Sequence, residues 1–502
     1  MQTSRTRKLE DEFEQIVREH RGDMAGRREA DEYLSQTHAL YHGDPTPWAL
    51  TPKIFDAETT AVLKDAAELM YGIMDKVTRA FCADPAVRAR FDLDPAFAEL
   101  CAMDAGYDCQ IPLARVDIFL DEDTGAYKFC ELNTDGSAGM VVTDAVDRAV
   151  RMTPSFQEFE RRHPRLRDYA LCDGWIDALF ETYAEWEAAH PGRTEDGVES
   201  GAGEGGGPDE ASRAATGETD GAADASAAPS ACPASVAIVD YAESIDHEDA
   251  AHFVELMRRR GVAARFADVR DLWIGEDEDD MRRLCDAEGP IDCVWRRAVT
   301  GELWDKPCDG RAALIEAARD GLACIVGGFR TWPCATKTVF AYLWSPAAGE
   351  LLTPEEIAFV REHVPYTEVL SDGSDLGRFA SKDRWILKPS GGYNAIGVVA
   401  GLDATEDEWA QLLVQAARGG AIIQEYASQY KTPCLRGTLV DGPHRGAAPE
   451  GLTDELGFAP AANMEGLYLY RGRFAGVYTR VGFGNTIGEW TSRLNVASFF
   501  EG

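Results

Sequence analysis

Acidic and amide side chains recur at alternate positions in two neighbouring strand-like runs. Arg115 and Asp117 lie two residues apart in the first run, and Glu131 and Asn133 lie two residues apart in the second. Because side chains alternate across a strand, a hairpin that pairs odd with odd positions brings all four to one face. Carboxylate and amide oxygens are ligands that Mg²⁺ prefers. The spacing predicts a magnesium site; the alternative is an exposed strand pair with Arg115 bonded to a neighbouring carboxylate.

A lysine followed by glycines forms a second chemically suggestive pattern. Lys388 ends the run WILK, and Gly391 and Gly392 follow shortly after it. Glycines permit a tight loop whose backbone N–H groups surround phosphate, and the lysine supplies positive charge. The pattern is neither a P-loop nor a dinucleotide-binding fingerprint. It predicts a phosphate site, and the alternative is an ordinary strand end followed by a surface turn.

Lys337 stands at the start of a helix-like run whose apolar positions are Val339, Phe340 and Leu343. The helix dipole disfavours a cation at this end, so a nearby anion is expected to compensate it. The sequence therefore predicts an anion close to Lys337.

Two strand-like runs end in polar residues that suit a nucleotide. The run Ala421 to Ala427 ends in Gln424, Glu425 and Tyr426, and its backbone can bind an adenine edge. Arg480 ends the run FAGVYTR, and its planar fork of donors suits a transferring phosphoryl group. The alternatives are a core strand that emerges into a loop and a surface arginine.

The elements that position these residues follow from the spacing of apolar residues. Residues 1–110 have mainly helical spacing and predict an N-terminal helical region. Residues 111–190 predict a β-hairpin, with its turn at Asp121 to Gly125, followed by helices. Residues 191–234 contain nine acidic residues, two arginines and no aromatic residue, which predicts a disordered acidic insertion.

The second half of the chain predicts two α/β regions. Residues 235–330 alternate buried strand-like runs such as Val236 to Tyr241 with helical stretches, which predicts a βαβ domain. Residues 331–502 contain closely spaced strands that suit a pair of sheets around a nucleotide. The expected fold class is mixed α/β.

Composition excludes several classes of protein. The 502 residues exceed one hydrophobic core, and a net charge of −37 argues against nucleic acid as a partner. The 12 cysteines are scattered without CxxC pairs, so zinc and disulfide frameworks are not expected. There is no apolar N-terminal leader and no run of about 18 apolar residues, so we expect a cytoplasmic protein without a membrane anchor.

Taken in order, the motifs resemble a known family. They are R-x-D, E-L-N, the lysine before FAYLW, WILKP with its glycines, IIQEY and GVYTR, and they span roughly residues 106–484. This order resembles the circularly permuted ATP-grasp proteins related to glutathionylspermidine synthase. In other ATP-grasp enzymes the magnesium ligands follow the ATP lysines, whereas Glu131 and Asn133 precede Lys337 and Lys388 here.

The resemblance implies a fold, a set of roles and a reaction. The fold is a circularly permuted ATP-grasp, with residues 235–330 as the domain that precedes the ATP-grasp and 331–502 as the nucleotide-binding region. The implied roles are Mg²⁺ ligands at Asp117, Glu131 and Asn133, phosphoryl-stabilising cations at Arg115 and Arg480, ATP phosphate contacts at Lys337, Lys388, Gly391 and Gly392, an adenine hinge at Gln424, Glu425 and Tyr426, and an acyl-substrate contact at Ser137.

The expected reaction is an ATP- and Mg²⁺-dependent ligation of a small-molecule carboxylate to an amine, such as a peptide or polyamine, through an acyl phosphate. The alternatives are a non-catalytic nucleotide-binding homologue and an ATP-dependent phosphotransferase. Bifunctional relatives also carry an N-terminal cysteine amidase domain. The helical spacing and late Cys82 of the first hundred residues do not match that domain, so amidase activity is not expected.

Overall fold

The computed structural model describes residues 4–41, 43–191, 232–277, 280–391, 396–439, 446–449, 451–488 and 493–502. Nearly all of the predicted acidic insertion at 191–234 lies outside these described residues, and so does Gly392.

The helices range in length from a single turn to about seven turns. They are α1 Arg5–Glu19, α2 Met24–Leu34, α3 Ala57–Ala83, α4 Pro85–Arg88, α5 Pro95–Cys101, α6 Met140–Met152, α7 Pro154–Arg162, α8 Leu171–Ala189, α9 His247–Arg259, α10 Thr300–Asp305, α11 Asp309–Asp320, α12 Trp332–Ala335, α13 Thr338–Trp344, α14 Ala348–Leu351, α15 Pro354–His363 and α16 Glu406–Gly419.

The strands form several separate sheets. They are β1 Leu40–Tyr41, β2 Asp44–Pro45, β3 Trp48–Phe55, β4 Leu113–Leu120, β5 Tyr127–Asn133, β6 Leu166–Arg167, β7 Ser235–Asp240, β8 Ala263–Asp268, β9 Trp273–Glu276, β10 Arg282–Asp286, β11 Gly289–Pro290, β12 Cys293–Arg296, β13 Cys324–Val326, β14 Thr367–Val369, β15 Trp385–Lys388, β16 Val399–Ala400, β17 Ile422–Glu425, β18 Lys431–Leu435, β19 Phe458–Tyr470, β20 Arg473–Gly482 and β21 Leu494–Glu501.

The largest sheet joins strands from the two ends of the sequence. Its strand order is β3-β21-β20-β19-β4-β5, with β18 also paired to β19 and β6 to β21. The strands β4 and β5 form the predicted hairpin, in which Arg115 is opposite Asn133 and Asp117 is opposite Glu131. The prediction that odd positions pair with odd positions is therefore confirmed for these four residues.

A β-bulge changes the hairpin beyond Asp117. The register shifts there, so that Ile118 is opposite Phe129 and Cys130 is the extra residue. Strict alternation along β5 would place Cys130 on the core face with Leu132 and Phe129 on the opposite face. Instead Phe129 joins the main core, whereas Cys130 packs with Met464 on the other side of the sheet.

The first 110 residues are not entirely helical, which corrects the prediction for this region. Strand β3 runs parallel to β21 at the edge of the large sheet, and α1 packs beside it. Pro52 lies inside this strand, and proline has no N–H group to donate to a neighbouring strand. The edge position tolerates that loss, but in the sequence the proline conceals the strand.

The predicted βαβ unit is present as a four-stranded parallel sheet. Its order is β13-β12-β7-β8, and helix α9 connects β7 to β8. The predicted strand Val236 to Tyr241 corresponds to β7, whose residues are almost completely buried. A small antiparallel sheet of order β11-β10-β9 follows β8 and was not predicted.

A second four-stranded sheet is antiparallel and has the order β14-β17-β15-β16. Helix α16 covers one face through Trp409 and Leu413, which pack against Leu387 and Ile423. We call this sheet the small sheet. Its opposite face looks toward the β4–β5 hairpin of the large sheet.

Within the described residues, no helix combines the length and the apolar composition needed to cross a bilayer.

Candidate active site

A cleft of about 950 Å³ separates the small sheet from the β4–β5 hairpin and strands β19 and β20. Its walls contain most of the site residues that were predicted from the sequence, together with several that were not predicted. They are Arg115, Phe119, Phe129, Cys130, Glu131, Asn133, Lys337, Pro365, Ile386, Lys388, Val398, Gln424, Glu425, Tyr426, Ala427, Gln429, Met464, Arg480, Asn485, Thr486, Ile487, Gly488 and Arg493.

Asp117 holds the two arginines of the site together. Its two carboxylate oxygens accept hydrogen bonds from Arg115 Nε at 2.8 Å and Arg115 Nη2 at 3.2 Å. Arg480 Nη2 forms an ion pair with Asp117 Oδ2 at 2.8 Å, and Asn133 Nδ2 donates to the same oxygen at 3.3 Å. Asp117 is fully buried, whereas Arg115, Arg480 and Asn133 reach the cleft.

The charge of Asp117 is maintained by these partners. Burial opposes ionisation, but the Arg115 and Arg480 guanidinium groups outweigh it and hold the pKa of Asp117 below its ordinary value. Asp117 is therefore an anion that orients two cations. Both of its oxygens are already engaged, so of the three residues that the sequence predicted as Mg²⁺ ligands, Glu131 and Asn133 line the cleft and Asp117 does not.

Lys337 and Glu131 form an ion pair across the cleft. Lys337 immediately precedes α13, and its Nζ lies 3.0 Å from Glu131 Oε1. The sequence predicted an anion beside this lysine, and the Glu131 carboxylate is such an anion. The Lys337 backbone N–H donates to the Ser390 carbonyl at 3.2 Å, which ties Lys337 to the loop that follows Lys388.

Lys388 lies between the two sheets and joins them. Its Nζ donates to the Cys130 carbonyl of β5 at 3.0 Å and to Gln424 Oε1 of β17 at 2.7 Å. Burial lowers the pKa of Lys388, with Cys130 and Glu131 nearby opposing the shift and Lys337 adding to it. The distant early and late motifs of the sequence therefore meet in space.

The predicted adenine hinge differs in detail from expectation. The Gln424 side chain is buried against Lys388 and Thr367 rather than directed along the open cleft. The backbone N–H groups of Glu425 and Tyr426 donate to the carbonyls of Tyr366 and Arg384, so they are not available to a base. Glu425 and Tyr426 nevertheless line the cleft.

The remaining predicted residues lie less directly at the cleft. Gly391 is exposed in the loop after Lys388. Ser137 was expected to contact an acyl substrate, but its side chain is buried and its hydroxyl donates to the Asn133 carbonyl at 2.7 Å. It supports the backbone of the loop between β5 and α6 in this structure.

The apolar wall of the cleft was missed by the sequence reasoning. It consists of Phe119, Phe129, Met464, Ile386, Val398 and Ile487, which come from both sheets, from the residue that precedes β16 and from the loop after β20. In the sequence these residues are indistinguishable from core positions of strands. Only the facing of the two sheets brings these apolar side chains together in one wall of a concave site.

The residues of the cleft fit a magnesium nucleotide. Two lysines and three arginines line it beside Glu131 and Asn133, and Arg480 Nε is a buried donor without a hydrogen-bond partner in the described part of the chain. No group of three or more His, Cys, Asp or Glu side chains suited to a metal is present among the described residues. Mg²⁺ in nucleotide sites commonly takes one or two protein carboxylates and completes its shell with phosphate oxygens and water.

No protein-family model matches the sequence, and no curated protein is significantly similar to it. Among solved structures, a glutathione synthetase-like effector from Globodera pallida matches with a TM-score of 0.54 and 11% identity over 95% of this chain and 96% of that chain.

Two further solved structures match less well. A putative γ-glutamylcysteine synthetase from Methylobacillus flagellatus has a TM-score of 0.36 and 11% identity over 86% and 85% of the two chains. An ATP-grasp RimK domain protein from Sphaerobacter thermophilus has a TM-score of 0.24 and 13% identity over 53% and 90%. These two matches are too weak to show a shared fold.

The match to the glutathione synthetase-like effector shows that the two proteins share their overall fold along nearly their whole lengths.

Proposed function

We propose that the protein is an ATP- and Mg²⁺-dependent carboxylate–amine ligase that works through an acyl phosphate. The observation that carries this proposal is the meeting of Glu131 and Asn133 with Lys337, Lys388 and Arg480 at one cleft. These groups are the oxygen ligands and cations that a magnesium triphosphate requires, and they come from distant parts of the sequence.

Each polar residue has a role in the proposed reaction. Lys337 and Lys388 bind the nucleotide phosphates, and Glu131 and Asn133 would hold Mg²⁺, which when bound offsets phosphate charge. Arg115 and Arg480, fixed by Asp117, stabilise the charge on the γ-phosphoryl group during its transfer to the substrate carboxylate. The amine then attacks the acyl phosphate and releases inorganic phosphate. Positioning and electrostatics supply the acceleration, so no covalent protein nucleophile is needed.

We further propose that the ATP-grasp is circularly permuted and resembles that of glutathionylspermidine synthase. The support is that Glu131 and Asn133 precede the lysines in the sequence and yet lie beside them in space. The substrates we propose are a small carboxylate and an amine, such as a peptide or polyamine, with neither nucleic acid nor membrane as partner. All twelve cysteines are free, which suits a cytoplasmic location.

The decisive experiment measures ADP formation with Mg²⁺, ATP and pooled carboxylates and amines. A ligase forms ADP only when both an acid and an amine are present, and EDTA abolishes the activity. ADP formation with a single acceptor indicates a phosphotransferase, and nucleotide binding without turnover indicates a non-catalytic homologue. Either result would overturn the ligase proposal.

Matched lysine variants locate the activity in the cleft. Lys388→Met should abolish ADP formation, because the phosphate loses its buried cation. Lys431→Met changes an exposed lysine of β18 and should leave the rate unchanged.

A further inference from the structure

Gln424 and Thr367 form a buried polar pair next to Lys388 that the proposed reaction does not use. Thr367 of β14 is directly opposite Gln424 of β17. Lys388 belongs to β15 on the other side of β17. The side chains of Thr367 and Gln424 are both almost completely buried, and both have hydrogen-bond partners.

The direction of each hydrogen bond in this pair is fixed. The Thr367 hydroxyl donates to the Pro365 carbonyl at 2.9 Å, so its oxygen remains as an acceptor. Gln424 Nε2 donates to that oxygen at 2.9 Å, which turns Gln424 Oε1 toward Lys388 Nζ at 2.7 Å. A flipped amide would place N–H donors against the ammonium group, which has no acceptor.

The ammonium group of Lys388 is thereby held on two sides. One N–H points to the Cys130 carbonyl and one to Gln424 Oε1. An ammonium has three donors, and Lys388 lines the cleft, so the donor that no described residue engages can serve a ligand. Gln424 is neutral, so it orients the lysine without cancelling its charge, as a carboxylate at that position would.

We propose that Thr367 and Gln424 are positioning residues that aim the Lys388 ammonium at a nucleotide phosphate. This inference rests on the proposed function, because it requires a phosphate ligand in the cleft. Gln424 then contacts Lys388, and not the adenine base that the sequence had predicted.

Calorimetric titration of the full chain with ATP and Mg²⁺, and separately with adenosine, tests this assignment. Gln424→Met keeps the length of the side chain but removes the acceptor. We expect a roughly 10-fold loss of ATP affinity, the size expected for a hydrogen bond to a charged group. Adenosine has no phosphate, so its affinity should not change. An equal loss for adenosine would show that Gln424 supports the base, and would overturn the proposal.

A double-mutant cycle tests whether Thr367 acts through Gln424. Thr367→Val removes the acceptor for the amide and should weaken ATP binding, whereas Thr367→Ser should restore it. The variant with both Thr367→Val and Gln424→Met should bind ATP as Gln424→Met does. Additive losses would overturn the relay. Thr182→Val removes a buried hydroxyl in α8 as a matched control and should not alter ATP affinity.

A nucleotide-independent measurement separates this inference from the proposed function. The rate at which an N-hydroxysuccinimide ester acylates Lys388 can be followed by peptide mass spectrometry without any nucleotide. Releasing the ammonium in Gln424→Met or Thr367→Val should change that rate severalfold relative to Thr182→Val. If wild-type protein binds neither ATP nor adenosine, the proposed function fails, and the acylation rates still decide the relay; unchanged rates overturn it.

Discussion

Asp117 is the residue on which the cationic side of the cleft depends. It has no exposed surface and is bonded to Arg115 and Arg480, whose guanidinium groups both reach the cleft. Two buried like charges would repel each other without the intervening carboxylate. Asp117 therefore contributes to stability and to the geometry of the site at the same time.

Replacing Asp117 by asparagine should destabilise the protein by about 3–5 kcal/mol, because two buried guanidinium groups lose their counter-charge. The lowered pKa of Asp117 gives this contribution a defined pH dependence. It is present above the ordinary carboxyl pKa and is lost as the pH falls toward the lowered folded-state value. The difference in unfolding free energy between wild type and variant should therefore shrink in acid.

Urea denaturation at several pH values measures this effect. Asp108→Asn is the matched control, because Asp108 also pairs with an arginine, Arg79, but at an exposed position. Exposed pairs contribute at most about 1 kcal/mol. Equal effects of the two substitutions would contradict the argument.

At the residue scale, the sequence predicted which side chains share a face but not which of them bond. Alternation along the strands placed Arg115, Asp117, Glu131 and Asn133 on one face, and in the structure Arg115 stands opposite Asn133 and Asp117 opposite Glu131. The pairing of Asp117 with Arg480 depends on the neighbour relation of β4, β19 and β20, which no local spacing encodes. The hydrogen bond between Lys388 and Gln424 likewise depends on the pairing of β15 with β17, which no local spacing encodes.

At the scale of elements, the loop between β5 and α6 is shaped by one glycine. Gly139 has a φ of +111°, and a Cβ there would lie 2.6 Å from the ring of Tyr478. The preceding Ala138 carbonyl accepts hydrogen bonds from Arg115 at 2.6 Å and from the Tyr468 hydroxyl at 2.7 Å. The glycine lets this carbonyl approach the arginine.

Gly139→Ala should lower both stability and ADP formation, because the methyl group displaces the Ala138 carbonyl from Arg115. Thermal unfolding and turnover measure the two effects. Gly125→Ala is the control, since Gly125 also has a positive φ of +73° but open space around its Cβ. It should show only the backbone strain of about 1–3 kcal/mol. Equal losses in the two variants would exclude the steric argument.

A cluster of buried charged side chains joins α1, β3 and β19 to the turn that follows β4. Lys53 of β3 lies 2.5 Å from Glu122, which follows β4, and 3.4 Å from Glu10 of α1. Glu465 of β19 is buried beside them. Burial raises the pKa of Glu465 to about 8, although Lys53 opposes the shift.

The contribution of Glu465 to stability should therefore fall as the pH rises from about 4.5 to about 8, because unfolded Glu465 releases its proton earlier than folded Glu465. Burial and the nearby Glu122 also raise the pKa of Glu10 to about 8, so Glu10 adds its own decline over the same range. Glu465→Gln has no proton to release and should flatten this decline. Urea unfolding across the range measures the slope. Glu99→Gln, at an exposed carboxylate, should keep the wild-type slope; the same flattening there would refute the assignment.

Local patterns predicted the elements whose residues alternate or form buried runs, and the elements they missed have physical causes. The hairpin and the parallel unit around β7 follow from alternation and buried runs. Strand β3 was missed because Pro52 has no N–H group for the hydrogen bonds between strands. In addition, its neighbour β21 lies more than 400 residues away in the sequence, so no local pattern relates the two strands. The cleft required two sheets to face each other, which is a property of tertiary packing.

At the scale of the whole molecule, the cleft couples its two walls. Lys388 reaches from the small sheet to the backbone of β5, and Tyr426 donates to the Asn485 carbonyl beyond β20 at 3.1 Å. A ligand bound between the walls would contact both sheets. Binding should therefore stabilise the fold as a unit.

ATP with Mg²⁺ should raise the unfolding free energy by about 2.7 kcal/mol at one hundred times its dissociation constant. Differential scanning calorimetry measures the accompanying rise in melting temperature. Removal of Mg²⁺ with EDTA should reduce the rise, because the triphosphate loses its counter-charge at Glu131. A rise of the same size in Lys388→Met would place the nucleotide elsewhere.

The parallel pairing of β3 with β21 has a consequence for synthesis on the ribosome. Residues 48–55 leave the exit tunnel long before their sheet neighbour at 494–501, which is translated more than 400 residues later. During that interval the apolar side chains of β3 lack their final partner, and contacts between such distant segments form slowly. This strand must therefore be kept from aggregating until translation reaches β21, so we expect chaperones to engage the nascent segment that contains β3.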